Sequence, residues 1–243
     1  MERKDEVKVY QNENVYEAFN HRLEYICGYF DHLIISFSGG KDSGLMLELV
    51  RLYYESHDWM KKGIKVSVFY LDYEGNYQET KDYIERSMGK YPEFDYYHVC
   101  LPVSASCGIS MSQSTWLPWD PEHHELWLNS IPTEAICLEN QEFPFFKVGM
   151  SDYEFQSKFC QWLYREKEVV RTAVLVGIRA QESLNRYNAV TREETFSRFG
   201  TTNYSHRISQ DVFNFYPMYD WLFEDIWRAN AKFELDYNHL YDL

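Results

Sequence analysis

The stretch Ser36-Phe37-Ser38-Gly39-Gly40-Lys41-Asp42-Ser43-Gly44 constrains this chain more than any other. It follows an apolar run, His32-Leu33-Ile34-Ile35, which reads as a buried strand. It precedes Leu45-Met46-Leu47-Glu48-Leu49-Val50, which reads as a helix. A strand that turns through glycines and serines into a helix makes an anion site, because successive backbone N–H groups point into one concavity and the helix dipole adds positive potential. Gly39 and Gly40 let the backbone take positive φ and approach a phosphate closely. Lys41 supplies a compact charge, and Ser38 and Ser43 supply hydroxyl donors. Asp42 would repel phosphate, so its expected role is to hold a Mg²⁺ ion or a water on it. The Walker pattern is excluded, since Ile35 stands where its first glycine belongs and Asp42 where its Ser/Thr belongs. Ser36, Ser38, Gly39, Gly40, Lys41, Asp42 and Ser43 are the phosphate-binding candidates.

The surrounding pattern predicts an α/β fold. A helix over 43–61, ending near Lys61-Lys62-Gly63, leads to the β-branched and aromatic strand Ile64–Leu71. A strand, helix and strand within about forty residues form a βαβ unit, hence a parallel sheet with a right-handed crossover. Ligands of such sheets sit beyond the carboxyl ends of the strands, where Asp72-Tyr73-Glu74-Gly75-Asn76-Tyr77-Gln78-Glu79-Thr80 also lies. Two readings of Asp72 are open, a neighbour of metal and phosphates or a plain strand-end turn former. Further helices are expected from Asn14 (its N-cap) to Phe30, over 76–90, and over 151–168 with Ser151 and Glu154 as a capping box. Strands are expected at 96–101 and 172–178. The last ends in Arg179-Ala180-Gln181-Glu182-Ser183-Leu184-Asn185-Arg186. Gly177 there permits a close approach to a ligand, and Arg179 and Arg186 are fork-shaped donors suited to phosphate, sulfate or carboxylate, oriented by Glu182 and Ser183. A structural ion pair of Arg179 with Glu182 is the alternative. Arg192, Arg198 and Arg207 fall in a polar stretch, 191–209, expected to close over substrate. Residues 216–219 are expected to form a short strand before a helix capped at Asp220.

Composition sets the frame. With 243 residues, 45% of them apolar and 21 Tyr, 16 Phe and 7 Trp among them, the chain suits one α/β domain over 1–243, with a loose N-terminus over 1–13. Residues 102–149 are dense in Pro, Trp and Ser and weakly periodic, which marks an insertion or lid within that domain. Its Trp116, Trp119 and Trp127 either stack on a base or a partner, or form a small satellite core; the core is slightly favoured. The net charge of −14 gives direct nucleic-acid binding no support. No apolar run is long enough for a membrane span, and Met1–Glu6 lacks the core of a signal peptide. The 5 cysteines include no C-x-x-C pair, so reduced thiols and a cytoplasmic location are expected.

The SGGKDS loop resembles that of the adenine-nucleotide α-hydrolase superfamily, the PP-loop ATP pyrophosphatases, and of their relatives the phosphoadenosine phosphosulfate reductases. Residues 72–80 resemble the D-T-G-x-x-F-P-E-T segment of the reductases, with one residue of offset at Gly75. Gly177–Arg186 resembles their G-x-R-x-x-E-S-x-x-R segment, and Pro217–Trp227 their late P-x-x-x-W-x-x-x-D-[IV]-W segment. The resemblance implies a doubly wound, mostly parallel five-stranded sheet with helices on both faces. It implies a site for ATP or phosphoadenosine phosphosulfate with Mg²⁺, built from the loop residues, Asp72, Gly177, Arg179, Glu182 and Ser183. The metal would lie on Asp42 and Asp72, and Lys41, Asp42, Arg179 and Arg186 would carry the chemistry. The reductases also use a C-terminal E-C-G-L-H tail. This chain ends Tyr237–Leu243 with no Cys beyond Cys160, so adenylyl transfer to an acceptor is expected ahead of thiol-based reduction. Sulfur transfer with a partner protein or an internal thiol such as Cys107 is the alternative, and a nucleotide-sensing regulatory module is a further one. The aromatic insertion resembles a branch found beside ParB-like or sulfiredoxin-like partners. Homo-oligomer formation is left open.

Overall fold

The computed structural model describes residues 12–107, 112–191 and 197–243. Helix α1 (Val15–Cys27) begins in a capping box: the Asn14 side chain accepts from the Tyr16 and Glu17 amides, and Glu17 accepts from the Asn14 amide. Strand β1 (His32–Phe37), helices α2 (Lys41–Ser56) and α3 (Asp58–Gly63), and strand β2 (Lys65–Leu71) follow. The single helix expected over 43–61 is thus two. It breaks at His57, which leaves the helical region and whose ring stacks on Tyr53 at 4.0 Å. Then come α4 (Gln78–Ser87) and β3 (Asp95–Val99). Among its described residues the insertion carries the ribbon β4 (Ala105–Ser106) with β5 (Thr115–Trp116) and one 3₁₀ turn. Helix α5 (Asp152–Glu166), strand β6 (Thr172–Val176), helix α6 (Leu184–Thr191), strands β7 (Ser205–Arg207) and β8 (Val212–Phe215), and helix α7 (Phe223–Phe233) complete the order.

The main sheet runs β3-β2-β1-β6-β8-β7. Its first five strands are parallel, and β7 is an antiparallel edge strand on β8. The fold is the expected doubly wound one, with six strands where five were expected. The additional strand is β7, inside the polar stretch 191–209. Of the arginines there, Arg207 packs over the Phe213 ring at 5.3 Å and Arg192 lies outside the described residues. Residues 216–219, expected as a strand, follow β8. Asp220, expected as the cap of α7, instead forms a two-pronged pair with Arg22 at 2.7 and 2.5 Å, while Asp225 accepts from the Leu222 amide at 2.9 Å to start the helix.

Alternation along the strands builds a core on each face. Leu33, Ile35 and Phe37 of β1 pack with α1, α2, α4 and α7. Ile34, with Phe69, Leu71 and Val174, packs against Phe155, Phe159 and Leu163 of α5 and against the insertion. Buried large side chains of this kind contribute roughly 1.5–3 kcal/mol each. Strand order turns back between β1 and β6, which opens a crevice at their carboxyl ends.

Candidate functional site

That crevice is a cavity of about 950 Å³. Its floor is the loop after β1. Gly39 holds φ +72°, and a Cβ there would lie 2.8 Å from Ile84, so only glycine fits. Gly40 is the N-cap of α2, so the amides of Lys41, Asp42 and Ser43 have no helical carbonyl to reach. Ser43 knits the turn: its hydroxyl accepts from the Ser38 amide at 3.1 Å and donates to the Gly40 carbonyl at 3.2 Å. The loop is held from outside by the buried Asn238, whose amide donates to the Gly39 carbonyl and to Thr80, both at 2.9 Å.

Of the residues expected at the site, Ser36, Ser38, Gly40, Lys41, Asp42, Ser43, Gly177, Glu182, Ser183 and Arg186 line the cavity. Three do not. Gly39 lies behind the turn. Gly177 does line it, but the close approach its missing side chain allows is to the loop itself: a Cβ would stand 3.2 Å from the Ser43 nitrogen and 3.3 Å from the Asp42 carbonyl carbon. Arg179 is 3% exposed and works inside the wall. Its Nε donates to Asp42 at 2.7 Å and its Nη2 to Glu182 at 3.4 Å, so the ion-pair reading of Arg179 is the one the geometry favours. Asp72 faces away from the cavity. Its carboxylate meets His98 at 2.9 Å and accepts from the Glu74 amide and Asn76.

The charges are arranged in a chain. Lys41 Nζ donates to one oxygen of Asp42 at 2.8 Å and Arg179 to the other. Burial alone would raise the Asp42 carboxyl, but these bonds hold it below the usual range. Glu182 is pushed above its usual range by burial and by the neighbouring Asp42, against the pull of Arg186 at 2.8 Å. Asp42 has both oxygens engaged by cations and Asp72 is turned elsewhere. The two therefore do not fit a shared magnesium site. Cys160 also lines the cavity, where burial pushes its thiol up to about 12, so it stays protonated. Cys107 is not among the lining residues.

The cavity also takes in side chains that sequence reading missed. Tyr241 stands over Lys41, with the ammonium 5.3 Å from its ring centroid. Tyr73 lines the opposite side, its hydroxyl donating to Asp152 at 2.9 Å. Strand alternation past Leu71 carries a signal for Tyr73, since side chains on either side of Asp72 point the other way. Tyr241 had none, because it reaches the loop only through the fold. In the insertion, Trp119 is buried and meets Trp127 edge-on at 5.3 Å, in a small cluster with Cys100, Ala135 and Ile131, which is the satellite core for those two; Trp116, in β5, is not among its residues.

Residues 131–243 match the family model of the phosphoadenosine phosphosulfate reductase domain. The similarity to that domain lies in this part of the chain. The match takes in the Gly177–Arg186 and Pro217–Trp227 segments, and the loop at 38–43 lies before it, joined to it by the Gly177 and Asn238 contacts. The chain is 30% identical over 236 residues to the uncharacterized protein YbdN of Escherichia coli (strain K12), across 95% of this chain and 55% of that protein. It thus spans about half the length of that relative. The fold is similar to that of Candida glabrata FMN adenylyltransferase. In its complex with FAD and inorganic pyrophosphate the TM-score is 0.53 at 12% identity, covering 97% of this chain and 64% of that one. In its complex with FMN and the ATP analog AMPCPP the TM-score is 0.52 at 13% identity, covering 97% and 63%. No helix among the described residues is long and apolar enough to cross a membrane.

Proposed function

We propose that this chain is a PP-loop enzyme that binds ATP in the crevice between β1 and β6 and cleaves its α–β phosphate bond, passing AMP to an acceptor and releasing pyrophosphate. The observation that carries this reading is the loop: a positive-φ glycine, a glycine N-cap, three free first-turn amides and Lys41, all at the switch point of a doubly wound sheet. The helix-terminal amides and Lys41 take the β and γ phosphates. Lys41 is held ready by Asp42 and released from it as phosphate oxygens arrive. Arg186, on the cavity wall and loosely held by Glu182, is the cation placed to offset charge developing at the transferring group. Arg179 is a positioning residue that fixes Asp42. The family match and the fold shared with an adenylyltransferase support an enzyme that handles adenine nucleotides.

Phosphoadenosine phosphosulfate is the competing ligand, favoured by the family model. Reduction by an internal thiol has less support, since Cys160 is a buried, protonated thiol and Cys107 is not among the residues that line the cavity. A partner of the ParB-like or sulfiredoxin-like kind would supply that chemistry. A regulatory nucleotide sensor docking a partner through the insertion is the reading of another class; it predicts binding without turnover. Product analysis of ATP labelled at the α and γ phosphorus, with candidate acceptors present, separates these. Labelled AMP adduct with pyrophosphate is the expected result, and ADP with inorganic phosphate would overturn the reading.

A further inference from the structure

Outside the crevice, three different ligand types converge at the carboxyl ends of β2 and β3. Leu71 pairs with Val99, so Asp72 and Cys100 leave the sheet side by side, and the Asp72 amide donates to the Val99 carbonyl at 2.8 Å. His98 and Cys100, two residues apart on an extended chain, point to the same face. The result is a carboxylate oxygen of Asp72, an imidazole nitrogen of His98 and the sulfur of Cys100, all within 4.8 Å of one another. Cys100 is fully buried and Asp72 nearly so.

We propose that Asp72, His98 and Cys100 bind a divalent cation of the zinc class, with water in the fourth position. Zinc takes nitrogen, oxygen and thiolate ligands at about 2.0–2.3 Å in a tetrahedron, which needs ligand atoms roughly 3–4 Å apart, and the trio already lies close to that spacing. A thiol in the set selects against magnesium and calcium, which prefer oxygen alone. The carboxylate is oriented from behind, as zinc ligands are: its Oδ1 accepts from the Glu74 amide at 2.7 Å and from Asn76 at 3.2 Å. On binding, the Cys100 thiol gives its proton to solvent and the sulfur bonds the metal. The proton between His98 Nε2 and Asp72 leaves Nε2 as the metal enters, and the neutral ring then carries its one proton on Nδ1 and offers Nε2 to the metal. No electron changes hands. The insertion is built on the same spot. Trp119 donates its indole N–H to the Asp72 carbonyl at 2.8 Å and packs against Cys100, and the Cys100 amide donates to Ile136 at 2.8 Å. A metal here therefore fastens the insertion to the sheet. None of the three ligands lines the crevice, so the site stands whether or not the nucleotide reading does.

The test is cobalt(II) loading of the full purified chain, followed by absorption spectroscopy and metal analysis. The expected result is one cobalt per chain, a near-ultraviolet thiolate-to-cobalt band, visible bands of tetrahedral intensity, and displacement by zinc. Cys100→Ser abolishes the near-ultraviolet band, and His98→Gln weakens binding at least tenfold. Cys107→Ser and Cys137→Ser keep the band. If Cys100→Ser does not fold by circular dichroism, the His98→Gln result decides. No cobalt beyond that held by His98→Gln, or a band that survives Cys100→Ser and vanishes in Cys137→Ser, would overturn the proposal.

Discussion

Two arginines at the same strand end have opposite fates, and the difference is burial. Among the described residues Arg179 bonds to both Asp42 and Glu182, and it is almost wholly enclosed. Removing one partner of a buried ion pair leaves the other charge uncompensated, which costs about 3–5 kcal/mol. Urea unfolding of Arg179→Ala should show a loss of that size. Arg186 has a half-exposed side chain and pairs only with Glu182 in the ion pairs described. Arg186→Ala should leave stability within about 0.5 kcal/mol of wild type while weakening nucleotide binding. Equal stability losses in the two variants would contradict this division. The sequence pointed to both arginines and to the strand end that carries them, but it could not say which one the fold encloses. That depends on Asp42 arriving from the end of the neighbouring strand β1, 137 positions away in sequence. The same holds for Asp72. Its place after a strand was legible, but its direction was set by the pleat and by His98.

At the scale of elements, β1, β2 and β6 were legible because their apolar, β-branched and aromatic runs are buried on both faces, and the edge strand β3 because of its Tyr96-Tyr97 and Val99. The hairpin of β7 and β8 was not, because Ser205-His206-Arg207 is polar and Val212–Phe215 spans only four residues. Nor was the insertion's form, which rests on side chains reaching backbone. Glu74, buried at φ +67°, accepts from the amides of Trp119 at 2.9 Å and Leu128 at 2.7 Å. Glu74→Ala should make the 112–149 region a preferred protease target while the sheet core resists; unchanged cleavage would contradict that anchor. The centre of the sheet carries a pH signature. His32 lies buried between Ser67 and Thr172, 3.0 Å from each hydroxyl, bridging β2, β1 and β6. Burial lowers its pKa from 6.5 to about 4. The unfolded chain therefore takes up a proton before the folded one does. The stability His32 contributes is complete above pH 6.5 and is lost as pH falls toward 4, by roughly 3 kcal/mol. Urea titrations across that window should show His32→Gln flattening the slope, and an unchanged slope would contradict a neutral buried imidazole.

For the molecule as a whole, the fold places a loop of helix-terminal amides and Lys41 within a chain of net charge −14. Lys41 and the helix amides act on a phosphate over short distances, at the floor of the crevice. The loop, the Gly177 approach and the Asn238 clamp join three distant parts of the chain into one phosphate cradle. The loop and the late segments were readable from residue order, whereas the contact of Tyr241 over Lys41 was not. The cradle is tested most directly by calorimetric titration of ATP and of phosphoadenosine phosphosulfate into wild type and Lys41→Ala. Losing one charge-assisted phosphate contact costs about 1.5–3 kcal/mol, roughly ten- to a hundredfold in Kd. The expected result is tighter binding of ATP than of the sulfonucleotide, weakened by that factor in Lys41→Ala. ATP binding that is absent, or indifferent to Lys41, would contradict the cradle.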